Sequence, residues 1–74
     1  MNENEYRILK RKIVGFMRDG TALAYIEAYG NSSWAAPTDG GDGAKICAGS
    51  LCVETDTGTV YLYDEEDGWT EAGA

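Results

Sequence analysis

The stretch VETDTGTVYLYDEEDGWTE, Val53 to Glu71, decides how this chain is read, because nineteen residues hold seven acids, three aromatics and two turns that end in glycine. In TVYLYD, Val60 and Leu62 alternate against Tyr61 and Tyr63, which is the period of two that a strand requires. Before it, Asp56-Thr57-Gly58 forms a turn in which Gly58 supplies the positive φ of a short hairpin connection. After it, the acidic run closes on Gly68 as a second turn, and Trp69 opens a third short strand. The first strand is expected from Ser50 to Thr55, with Leu51 and Val53 on the core side. Residues 50–71 therefore read as a three-strand β-meander whose acids sit in turns and on the outer face.

Upstream, RILKRKIVGFM fits two periods. Leu9, Ile13, Phe16 and Met17 make a helical stripe, whereas Ile13, Val14 and Gly15 suit a strand. Arg18-Asp19-Gly20-Thr21 is a turn, after which TALAYIEAY alternates Ala22, Ala24, Ile26 and Ala28 against Leu23, Tyr25, Glu27 and Tyr29. Residues 7–29 are thus expected as a hairpin, with a short helix as the alternative that the alanines suggest. From Gly30 to Lys45 a long Gly-rich loop follows, and Trp34 within it is expected to pin the loop to the body or to a neighbour. The expected fold is mostly β. It is a small antiparallel sheet or barrel in one domain spanning residues 1–74, with residues 1–6 as a flexible lead-in.

A chain of 74 residues buries only about 60% of its unfolded surface and gains from a staple or a partner. Histidine is absent, and no second ligand pair accompanies Cys47 and Cys52, so no metal and no cofactor are expected. The acids beside the glycines in TDGGDG and DEEDG do not form the twelve-residue calcium loop. The chain opens without the basic and apolar regions of a signal peptide, and no run approaches the roughly 20 apolar residues of a membrane span. A cytosolic origin follows, with both cysteines reduced as small buried hydrophobes and a local disulfide as the alternative. Oligomerisation or docking is the remaining aid.

The net charge of −7 is unevenly placed. Arg7, Lys10, Arg11, Lys12 and Arg18 are five of the six bases, so residues 1–20 carry +2 and residues 21–74 carry −9. An acidic body with one basic arm argues against nucleic-acid binding, which depends on neutralising phosphates. Without histidine the commonest general base is missing, and Asp64–Asp67 are consecutive turn acids rather than a shielded pair. No catalytic residues are expected. Candidate binding residues are the aromatics Trp34, Tyr61, Tyr63 and Trp69 and the basic Arg7, Lys10, Arg11 and Lys12, while Asp56, Thr57, Gly58 and Gly68 are structural turn positions. The tyrosines and Trp69 also suit cross-strand pairing, which a small sheet needs to hold its register.

AGSLCVETDTGTVYLYDEEDGWTE resembles a segment of small structural proteins from tailed bacteriophages and prophages, through Gly49, Ser50, Asp56, Thr57, Gly58, Tyr61, Tyr63, Asp64 and Trp69. The preceding AYGNSSWAAPTDGGDGAKICAGS is similar to the loop upstream of that segment in short clostridial-type prophage proteins. The resemblance covers residues 28–71 and implies a non-enzymatic virion protein. It would bind other phage structural proteins as a capsid decoration or a head or tail accessory, and would occupy the host cytoplasm during assembly. The expected partners are capsid or tail subunits and further copies of the chain. Two alternatives accompany this reading, a carbohydrate-binding appendage and a small acidic inhibitor of a host nucleic-acid enzyme.

Overall fold

The computed structural model describes residues 5–72. Six strands form one sheet: β1 (Arg7–Phe16), β2 (Ala22–Gly30), β3 (Lys45–Ile46), β4 (Leu51–Glu54), β5 (Val60–Asp64) and β6 (Gly68–Glu71). Their order is β1-β2-β4-β5-β6, with β3 also on β2. The described residues contain no helix, so RILKRKIVGF is a strand and the expected mostly-β class holds.

The sheet is mixed and open rather than antiparallel throughout or closed into a barrel. The reason lies at β2. One of its edges pairs antiparallel with β1, from Arg7 opposite Tyr29 to Phe16 opposite Ala22. Its other edge is shared between two parallel partners, β3 at Leu23–Ala24 and β4 at Glu27–Gly30. A parallel return needs a crossover, and the Gly-rich loop of residues 31–44 is that crossover. Between β3 and β4 the ladder along β2 has a gap, which the Ser50 hydroxyl oxygen fills by accepting a 3.0 Å hydrogen bond from the Ile26 N–H. Ser50 is the one buried polar residue among those described.

The crossover lies across one face. Gly40 approaches so closely that a Cβ there would stand 2.8 Å from the Cβ of Ala24. Arg11, opposite Ile26 and so on the same face, donates from its guanidinium to the carbonyls of Gly40 and Gly41. Trp69 donates from Nε1 to the Pro37 carbonyl at 2.9 Å. Beneath this cover sit the buried residues Ala24, Ile26, Ala28, Ala44, Ile46 and Cys52, with Tyr63 and Trp69 packed against them. Alanine in β2 is explained here, since only small side chains let a loop rest on the strand.

The core side of the meander is therefore the reverse of the sequence expectation. Cys52, Tyr61, Tyr63 and Trp69 face the loop, and Leu51, Val53, Val60 and Leu62 face away. The expectation chose the more apolar row, whereas the crossover selected the face that carries the alanines. The two turns match their reading, with Gly58 at φ +78 and Gly68 at φ +74. Residues 1–4 of the expected lead-in lie outside the described residues. Of its last two residues, Glu5 bridges to Ala35 and Tyr6 is half-buried.

Candidate functional site: the open face of the sheet

The aromatic candidates are drawn into the covered face. Tyr63 and Trp69 meet edge to face with centroids 5.0 Å apart, a geometry worth about 0.5–1.5 kcal/mol beyond area burial. Trp34 stands edge-on to Tyr6 at 6.4 Å, and both rings close over Gly30, where a Cβ would lie 2.7 Å from Tyr6 Cγ and 2.9 Å from Trp34 Cε3. Trp34 pins the loop as expected. Between these pairs a shallow cleft of about 210 Å³ is walled by Tyr6, Trp34, Tyr61 and Trp69, with Glu54 at its side. Burial, reinforced by Glu54, raises the Tyr61 phenol above its ordinary value.

Cys52 is buried in the same layer, where burial first and Glu54 second push its thiol up to about 11. It stays a neutral, weakly polar core residue at physiological pH. Cys47 and Cys52 are both free thiols. The DTG turn is a fastening point, because Ser32 donates from its amide to Asp56 Oδ1 at 2.9 Å and from its hydroxyl to Oδ2 at 2.7 Å. These bonds hold the Asp56 carboxyl below the ordinary carboxylate range, the hydroxyl bond being the larger cause. Thr57 tightens the same turn by donating to Glu54 Oε1 at 2.7 Å.

The basic arm divides. Arg11 turns toward the loop and is structural, while Arg7, Lys10 and Lys12 stand opposite Tyr29, Glu27 and Tyr25 on the other face. That other face is the site the sequence reading missed. It presents Leu23, Tyr25 and Tyr29 from β2, Leu51 and Val53 from β4, and Val60 and Leu62 from β5. Leu62 is exposed and the others are half-buried, and the crossover's contacts with Ala24, Arg11 and Trp69 all fall on the opposite face. Glu27, the acid within this face, accepts from the Tyr25 hydroxyl at 2.7 Å and lies across from Lys10. In the neighbouring β1, Leu9 and Val14 fall at the two register shifts and are exposed, and Phe16 at the end of the strand, 70% exposed, stands opposite Ala22 on the side of the alanines.

A signal for this face was present. β4 and β5 are apolar on both sides, and a chain that can cover only one side leaves the second for something outside itself. No protein-family model, curated protein or solved structure matches the chain.

Proposed function

We propose that the chain is a non-enzymatic structural protein of a bacteriophage or prophage virion, working as a capsid decoration or a head or tail accessory that binds other virion subunits. The single observation that supports assembly as its work is the apolar face of β2, β4 and β5 that the chain leaves open. The thin core points the same way. Among the described residues six apolar side chains are buried and three of them are alanines, too little to hold a sheet firmly. The phage assignment itself rests on the resemblance of residues 28–71.

The test is composition of the particle. Density-purified particles from a host carrying the gene are expected to contain the chain at a fixed ratio to the major capsid subunit, measured by quantitative mass spectrometry. Presence only in the soluble lysate would overturn the proposal. The cleft between Tyr6, Trp34, Tyr61 and Trp69 supports the carbohydrate-binding appendage as a second reading, with Glu54 placed to accept from a sugar hydroxyl. On that reading Tyr61→Ala abolishes retention on host cell-wall polysaccharide, whereas on the first reading it leaves particle incorporation unchanged.

A further inference from the structure

We propose that the open face is covered by a second copy of this chain, packed face to face about a two-fold axis parallel to the strands. The inference builds on the assembly reading but concerns the isolated protein. The apolar row runs through the middle strands, with the bases Arg7, Lys10 and Lys12 at the β1 side and Asp64 with the acidic turn Glu65–Asp67 at the β5–β6 side. Two copies of such a surface can meet in few symmetric ways. A two-fold axis in the interface plane but across the strands lays β1 on β1 and sets the bases against each other. Joining the sheets edge to edge through β1 or through β6 likewise matches base with base or acid with acid. With the axis along the strands, β1 of one copy lies over β5 and β6 of the other, and opposite charges meet on both sides of an apolar centre.

The register sharpens this. Glu27 aligns with Leu51, and Leu51 with Leu62, so Asp64, two residues beyond Leu62, shares its row with Tyr25 and with Lys12 opposite Tyr25. Rotation about an axis along the strands keeps rows level. Lys12 of each copy thus comes to the height of Asp64 in the other, shifted by about one row where aligned sheets cross at about 30°. Size is sufficient as well. The 37 × 33 Å extents of the molecule bound the face at roughly 1,200 Å², which leaves room for the about 800 Å² per partner of a standard stable interface.

Light scattering coupled to gel filtration, from 1 to 200 µM protein, tests the proposal with the full chain. The expected result is a dimer that Leu62→Lys weakens at least about 100-fold, since both copies lose a buried leucine and gain a charge. Leu62 is 39% exposed in the single chain, so the variant monomer should stay folded by circular dichroism. Lys12→Glu is expected to weaken dimerisation about fivefold by facing Asp64 with another acid, and adding Asp64→Asn should recover most of that loss while keeping the oxygen that caps Glu66 and Asp67. A monomer at every concentration, or a dimer indifferent to Leu62→Lys and broken by Val14→Pro in the β1 edge, overturns the face-to-face dimer. Neither result bears on whether the chain is found in particles, so the two readings fail separately.

Discussion

Replacing Ser50 with alanine probes the point where the mixed sheet is joined. Ser50 is fully buried, and its hydroxyl oxygen takes the place of a backbone acceptor in the gap between β3 and β4. Ser50→Ala removes that oxygen and leaves the Ile26 N–H buried without a partner, a loss of about 1–3 kcal/mol. For a domain of this size, 1 kcal/mol corresponds to about 4–8 °C in Tm, so the melting temperature should fall by roughly 4–24 °C. The control is Ser33→Ala, whose exposed hydroxyl bonds only to Asn31, and it should shift Tm very little. Both are measured by thermal circular dichroism at one protomer concentration, because association makes Tm concentration-dependent. Amide exchange at Ile26 should also accelerate in Ser50→Ala. Equal Tm for the two variants, with Ile26 still protected, would refute the bridging role of the hydroxyl.

Gly58→Val should destabilise by about 1–3 kcal/mol through backbone strain alone, since nothing lies within 4 Å of an added Cβ and φ is +78; Glu65→Ala in the exposed turn should stay within about 0.5 kcal/mol in the same denaturant titration. Gly30→Ala should cost about 1–3 kcal/mol by forcing Tyr6 and Trp34 apart, with a shift in tryptophan emission that an unconstrained loop would not show. Asp56 contributes stability above the ordinary carboxylate range, because its folded pKa is lowered, and that contribution disappears as pH falls through the folded value. Asp56→Asn should therefore be less stable than the parent at pH 7 and approach it as the pH falls through the folded value, and a difference that stays constant from neutral into acid would contradict the Ser32 contacts.

Much of the fold was legible in local pattern. The alternation of TVYLYD, the glycines at positions 58 and 68 and the Asp-Gly turn at residues 19–20 each specify geometry within a few residues, and β1, β2 and the meander lie where those signals put them. What the pattern could not carry was long-range. The parallel pairing of β2 with β3 and β4 depends on where a loop lands, and a period of two does not distinguish which face it lands on. Hydrophobicity ranked Leu51, Val53, Val60 and Leu62 above Cys52, Tyr61 and Tyr63, yet the loop chose the face of Ala24, Ile26 and Ala28. The basic cluster misled for the same reason. Register shifts at Leu9 and Val14 decide which bases face the loop, and only Arg11 of the four candidate bases in β1 makes a contact there. Of the candidate aromatics, Tyr63 and Trp69 meet as a cross-strand pair, and Trp69 and Trp34 hold the crossover through Pro37 and Tyr6.

Whether the face of β2, β4 and β5 is a binding surface is read most directly by oxidative footprinting of the protein when assembled and when diluted to the single chain. Tyr25, Tyr29 and Leu62 are expected to be protected in the assembled state and to become reactive on dilution, while Phe16 and Met17, at and beyond the end of β1, serve as exposed references in the single chain. Equal modification of Tyr25, Tyr29 and Leu62 in both states would mean that nothing covers the open face, and would contradict assembly through it.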